Sequence, residues 1–225
     1  MKECRVILGK RFFCLAVEEA LGLGEVGNCE VVDLGEVSVF KCEDCSVFKR
    51  AALAKSVNGE RIRKEKPHIE RLTRSLDYLT AKLFINLARV KIGDYVWEPF
   101  VGAGAVAYEA EKVGAYVVGG DIDIKALVVA KRNLSSDLIQ CDATMPVFRR
   151  KFDAVVGDPP YGRLSLSTLD IRALLTKFIE SALTYIRRGG YLVFASPIYY
   201  DFPSLKSCVM YIHGGLYRVV YIVKN

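Results

Sequence analysis

The sequence predicts an α/β fold: a mostly parallel sheet wrapped by helices and ending in an antiparallel hairpin, behind a small N-terminal α+β appendage. Three observations carry that expectation. Beyond Gly93, short apolar runs alternate with helix-length segments, the pattern of strands linked by crossover helices. The C-terminal stretch breaks this alternation, because Cys208–Ile212 and Leu216–Val223 are separated only by His213-Gly214-Gly215. Ahead of the alternating region the order is strand, helix, strand, strand, helix, too short for another crossover unit.

Taken in order, residues 4–8 read as a strand, and 12–21 as a helix ended by Gly22-Leu23-Gly24. Glu30–Leu34 and Val37–Phe40 make two strands joined at Gly35. Asp44 or Ser46 opens a helix to about Val57, which Asn58-Gly59 stops. The appendage therefore spans 1–58, a basic linker 59–74, and the main domain 75–225. That domain starts with a periodic helix from Ser75 to Arg89, whose apolar stripe is Leu76, Leu79, Leu83, Phe84, Leu87 and Val90. Strands follow near 94–98, 116–120, 137–141, 152–157 and 190–195, with helices at about 104–113, 123–133 and 169–187. A parallel sheet with a terminal hairpin is the layout of Rossmann-like methyltransferases rather than of dinucleotide-dependent dehydrogenases.

At 225 residues and 52% hydrophobic, the chain can bury a real core. No run reaches the ~18–20 apolar residues of a membrane span, and Met1-Lys2-Glu3-Cys4 lacks a signal-peptide layout, so a cytoplasmic protein is expected. Seven scattered cysteines argue against a secreted disulfide framework. Cys42-Glu43-Asp44-Cys45 is the one close pair; zinc, a disulfide or redox pair, and part-buried thiols stay open for it, thiols foremost. No metal site is assigned. A single glutamine beside abundant Val, Lys, Arg and Glu hints at a thermophile, where an intracellular disulfide is less unusual.

Net charge is +6, and from Lys49 to Arg74 nine basic residues face Glu60, Glu65 and Glu70, so this stretch holds the whole excess. Clustered Lys and Arg attract phosphate backbones, which points to nucleic acid.

Four carboxylates end successive strands, at the edge where open α/β sheets bind ligands. Glu98-Pro99-Phe100-Val101-Gly102-Ala103-Gly104-Ala105 follows the first core strand and opens a helix. Its glycines let a ligand approach the backbone, and the acidic residue suits a cationic amino-acid moiety. Asp121, after Gly119-Gly120, is placed to accept from both ribose hydroxyls, while Asp123 caps the next helix. Asp142 can accept from an adenine amino group, and Ala143 leaves room for the ring. Asp158-Pro159-Pro160-Tyr161 then forms a rigid polar turn with a stacking surface, suited to gripping a planar amine and its base.

With these residues the chain resembles the S-adenosylmethionine-dependent amino-methyltransferases, and more narrowly the archaeal tRNA guanosine-10 N2-methyltransferase family. The match runs from about Leu72 to Tyr199 and includes Asn86-Leu87-Ala88-Arg89, Glu98–Gly104, Gly120–Asp123 and Asp158-Pro159-Pro160-Tyr161-Gly162. The resemblance implies a class I methyltransferase using S-adenosylmethionine on tRNA. It implies that Glu98, Phe100, Gly102, Ala103 and Gly104 surround the methionine part of the cofactor. Asp121 and Ile122 would hold ribose and adenine, with Asp142 and Ala143 at the adenine. Ser75 and Leu76 would close over the methionine carboxylate. Asp158, Pro159, Pro160 and Tyr161 would hold the target nucleotide. From the sequence itself, Arg163 reads either as a contact to a neighbouring phosphate or as an exposed structural arginine. The family carries an RNA-binding THUMP domain, which is expected to be absent here, so either a partner subunit supplies RNA binding or the substrate differs. Family members also use a small zinc-binding activator protein, for which the terminal sheet edge is the expected pairing surface. Adenine N6 methylation, or a non-catalytic RNA-binding scaffold, are the alternatives.

Overall fold

The computed structural model describes residues 1–72, 75–160, 168–202 and 206–225, and within them two sheets. The first has five strands in the order β2-β3-β1-β4-β5: β1 (Lys2–Leu8), β2 (Glu30–Asp33), β3 (Val37–Cys42), β4 (Ala54–Val57) and β5 (Glu60–Arg61). Helix α1 (Phe13–Val26) packs on it, burying Ala16, Ala20 and Leu23. Alternation along β1 sends Cys4, Val6 and Leu8 inward to Phe40 and Phe48, the period-two signature of a half-buried strand.

Two expectations for this region are corrected. The helix expected over 44–57 is a short 3-10 helix, Cys45–Arg50, which Asp44 caps by accepting from the Ser46 amide. Asn58 and Gly59, with φ of +48° and +84°, form the two-residue turn of the β4–β5 hairpin rather than a helix stop. The sheet therefore runs to Arg61, inside the segment expected as linker. Gly22-Leu23-Gly24 does not end α1 either. A Cβ on Gly22 would stand 2.8 Å from the Asn86 carbonyl and one on Gly24 3.1 Å from Phe40, so these glycines permit close packing within the helix.

The second sheet has seven strands, ordered β11-β12-β10-β9-β6-β7-β8. These are β6 (Tyr95–Glu98), β7 (Tyr116–Asp121), β8 (Asp137–Gln140), β9 (Phe152–Gly157), β10 (Ile186–Ser196), β11 (Lys206–His213) and β12 (Leu216–Lys224). The pairs from β8 through to β10 are parallel, and β12 enters antiparallel to both β10 and β11. This is the expected parallel sheet with a terminal hairpin. Helices α2 (Tyr78–Leu87), α3 (Ala105–Val113) and α4 (Ile124–Asn133) pack in one apolar cluster, and α5 (Thr168–Tyr185) covers the other. The stripe residues Leu83, Phe84, Leu87 and Val90 are all buried in the first cluster, each such side chain contributing about 1.5–3 kcal/mol. No helix among the described residues is long and apolar enough to cross a membrane.

The two sheets are joined through α1 and α2. Glu19 of α1 is fully buried and accepts from the Ala52 and Leu53 amides and from Asn86 Nδ2. Arg50 donates to Asn86 Oδ1 and to the Val90 carbonyl. Arg89 lies over the Tyr191 ring at 4.6 Å and pairs with Glu25, which also accepts from the Tyr191 hydroxyl. The Asn86-Leu87-Ala88-Arg89 segment is thus a clamp between the two sheets.

The cysteine expectation is overturned. Three disulfides join Cys4 to Cys45, Cys14 to Cys208 and Cys29 to Cys42. Cys42 and Cys45 do not pair with each other; each bonds across the sheet to a strand or turn brought beside it by the fold. Cys14–Cys208 ties α1 to β11 over 194 residues.

Candidate active site

The carboxyl ends of β6, β7 and β9 bring Glu98, Asp121 and Asp158 to one edge, as their positions after successive strands require. Each has a distinct local role. Gly104, at φ +89°, caps α3 without a side chain, and Glu98 Oε2 supplies the missing acceptor to the Ala107 amide at 2.7 Å. Glu98 is 3% exposed. Burial pushes its carboxyl well above the ordinary carboxylate value, and the neighbouring Asp121 and Asp158 push it further.

Asp121 bridges two loops. Its Oδ2 accepts from the Gly102 amide and its Oδ1 from the Asp123 amide, both at 2.9 Å. The glycine turn after β6 is thereby fixed against the end of β7, supported by Val101 N–H donating to the Gly120 carbonyl. Each carboxylate oxygen keeps capacity for a further donor. Ile122 beside it is 69% exposed. Asp123 caps α4 through the Lys125 amide, as expected.

The two glycines of the turn differ. Gly102, at φ +51°, faces open space, with only its own loop's Phe100 carbonyl near a built Cβ, at 3.9 Å. A ligand can lie there. A Cβ on Gly104 would meet Leu134 at 2.6 Å, so its lack of a side chain serves packing against Leu134. Phe100 packs edge-on against Phe178 at 5.1 Å and across Gly157, which sets the β6 turn directly against the end of β9.

The remaining expected residues are placed as follows. Asp142 Oδ1 accepts from the Thr144 amide and hydroxyl, at 2.8 Å each, in the turn after β8. Ala143 and Ala103 are buried, the Ala103 carbonyl accepting from Asn133. Leu76 is buried in the core beside α2, and Ser75 Oγ accepts from the Leu72 amide, so these two shape the entry to α2. Pro159 is buried and Pro160 exposed. Tyr161 and Arg163 lie outside the described residues. Among the described residues no cluster of three or more His, Cys, Asp or Glu could hold a metal.

One residue was missed. Arg218 of β12 places Nη2 3.5 Å from Asp158 Oδ2, both side chains 17% exposed. Its signal was its parity: in Leu216–Val223 the arginine shares a face with Val220 and Ile222, an odd position for a cation.

The RMKL-like methyltransferase domain matches residues 74–208. The chain belongs to this family. Within it, the chain is similar to a tRNA (guanine(10)-N2)-dimethyltransferase of Methanothermobacter thermautotrophicus, 34% identical over 64% of this chain. A second of the same name, from Methanocaldococcus jannaschii, is 32% identical over 74% of it. The alignments take in 48% and 51% of those relatives, so the chain spans about half their length. Among solved structures, TrmN from Thermus thermophilus shares the fold at a TM-score of 0.60 and 23% identity, covering 88% of this chain and 59% of that one. A methyltransferase from Pyrococcus furiosus does so at 0.51 and 20%, covering 68% and 86%. This methyltransferase domain thus has the expected fold.

Proposed function

We propose that the chain transfers a methyl group from S-adenosylmethionine to the exocyclic N2 amine of a guanosine in tRNA. The observation that carries this reading is the gathering of Glu98, Asp121 and Asp158 at one sheet edge, with Phe100 wedged between the cofactor turn and Gly157. The family match and the names of the relatives support the substrate class.

The residues present fit the cofactor. The open space over Gly102 admits a ligand against the backbone, Asp121 offers acceptors to ribose hydroxyls, and exposed Ile122 offers an apolar face to adenine. Glu98 would stand near the methionine end, with Asp142 and Ala143 toward the adenine. When bound, the sulfonium supplies an electrophilic methyl group.

The chain's own residues then orient the acceptor. A guanine amine is conjugated with its ring, so its lone pair is a poor nucleophile. Asp158 and the Pro159 carbonyl would accept the amine hydrogens, draw the nitrogen toward tetrahedral geometry and aim its lone pair. Asp158 stabilises the positive charge that develops on nitrogen and takes the surplus proton. The base must leave its helix to reach this turn.

The basic stretch supports RNA binding with fewer cations than its count suggests. Arg50 is internal, its guanidinium pushed down to about 10 by burial, and Lys49 pairs with Glu60 at 2.7 Å. Lys55, Arg61, Arg63 and Lys64, with Glu60 and Glu65, line an open groove of about 1230 Å³ that suits a phosphate backbone.

The test is methyl transfer from radiolabelled donor to bulk tRNA, followed by nucleoside analysis. N2-methylguanosine is expected, and Asp158→Ala should abolish it while cofactor binding persists. Label in N6-methyladenine would move the reading to the adenine alternative, and full activity in Asp158→Ala would end it.

A further inference from the structure

Arg218 shares its strand face with buried Val220 and Ile222, between exposed Leu216 and Lys224 at the strand's ends. Along β12, Val219, Tyr221 and Val223 enter the cluster beneath α5, while Val220 and Ile222 enter the opposite cluster with α2 and α3. Arg218 shares the second face and stands directly across from Met210, which is 2% exposed. A guanidinium largely withdrawn from water costs desolvation that an aliphatic side chain there would not, so the groups it meets have to supply compensation.

The register shows how Asp158 comes to be one of them. Gly157 of β9 aligns with Phe194 of β10, and Ser196 of β10 aligns with Val219 of β12. Because β12 runs antiparallel, its beginning returns to the carboxyl edge of the parallel strands. Residue 218 is the first position of β12 beyond its paired segment with β10, so a long side chain can reach across the end of β10 to Asp158. A parallel strand at this place would bring its carboxyl end here instead, and the reversed hairpin delivers Arg218.

We propose that Arg218 is a positioning residue for methyl transfer, holding the Asp158 carboxylate in the orientation that receives the amine hydrogens of the target guanosine. The inference rests on the role proposed for Asp158. Its physical basis is the excess of acid at this edge. Among the described residues, Glu98 from β6 lies within electrostatic reach of both Asp121 from β7 and Asp158. Crowded carboxylates turn away from one another or take up protons, and either response would spoil Asp158 as an acceptor. Arg218, from β12, opposes both responses with a charge-assisted contact.

The experiment is single-turnover methylation of tRNA across pH 5–9 by the parent and by Arg218→Ala, Arg218→Gln and Arg218→Lys, with calorimetric donor affinity and thermal melting for each. Gln keeps the length and polarity of the side chain, so it reports even where Ala melts early. Ala and Gln should lower the rate by about 100-fold with donor affinity unchanged, the scale of a small misplacement of a reacting group. The acid limb of their pH profile should move upward, and Lys should restore much of the rate. Arg218→Ala in an Asp158→Asn background should add no further loss. An unchanged rate and acid limb, or a loss confined to KM for tRNA, would overturn the proposal and leave Asp158 in its role. If Asp158→Asn itself methylates normally, the reading of Asp158 falls, and this inference with it.

Discussion

Asn86 Nδ2 donates to Glu19 Oε1 at 2.7 Å, and both side chains are sealed from solvent where the two sheets meet. The same asparagine accepts from Arg50 Nε through its Oδ1, so one short side chain joins a buried acid to a half-buried base. Burial raises the Glu19 carboxyl above its ordinary value, and the hydrogen bonds from Ala52, Asn86 and Leu53 work against that shift. Asn86→Ala would take one side-chain hydrogen bond from each group, leaving Glu19 its Ala52 and Leu53 donors and Arg50 the Val90 carbonyl. The expected loss is about 1–3 kcal/mol of folding free energy, the scale of hydrogen bonds lost to charged groups. Denaturant unfolding of the purified variant measures it, and an unchanged midpoint would refute the clamp.

Gly102 and Gly104 should fail in opposite ways. Gly104→Ala places a methyl group 2.6 Å from Leu134 at a backbone φ of +89°, so folding stability should drop by about 1–3 kcal/mol. Gly102→Ala meets open space, and its φ of +51° carries a backbone cost of about 1–2 kcal/mol. Its methyl group projects where the ligand would lie, so donor affinity should fall by at least tenfold. Melting curves and calorimetry on both variants separate the two effects.

Glu98 gives a pH signature with a definite sign. Its folded-state carboxyl is raised well above 4.5, by burial first and by Asp121 and Asp158 after it. Between the unfolded value and the raised folded value, the native state binds more protons than the unfolded state. Stability contributed by this group is therefore present at low pH and lost as pH rises through that window. Glu98→Gln keeps an acceptor for the Ala107 amide without the charge. The stability of Glu98→Gln relative to the parent should increase with pH above 4.5. A difference that stays flat from pH 4 to 8 would rule this out.

The sheet and its edge were legible because they follow from periodicity. Apolar runs ending in Glu98, Asp121, Asp142 and Asp158 could only be strands feeding one edge. The N-terminal region was less legible because its signals are ambiguous locally. Asn58-Gly59 stops helices and turns hairpins with the same left-handed backbone, and only the pairing of Val57 with Glu60 decides between them. Gly22 and Gly24 look like punctuation until Asn86 and Phe40 are seen against them. Arg218 was hidden for a related reason. Its contact with Asp158 spans 60 residues and depends on the antiparallel return of β12, which fixes register only once the sheet is assembled.

The cysteines provide the most direct chemical check. Non-reducing peptide mapping should recover Cys4 with Cys45, Cys14 with Cys208 and Cys29 with Cys42, leaving Cys141 as the thiol. Burial raises the Cys141 thiol above its ordinary value, and Asp142 and Asp121 add to that, so its alkylation at neutral pH should be slow. Of the three bonds, Cys14–Cys208 closes the longest loop, 194 residues, and it alone joins α1 to the hairpin that carries Arg218. Loop-closure entropy sets an upper bound of about 5 kcal/mol for its contribution, with about 2–4 kcal/mol typical. Replacing both cysteines by serine should lower the denaturation midpoint accordingly. It should also loosen the hairpin base, so methyl transfer should fall at temperatures where the rest of the fold still holds. A doubly substituted protein with the parent's stability and the parent's activity up to its melting point would show that this bond neither forms nor matters.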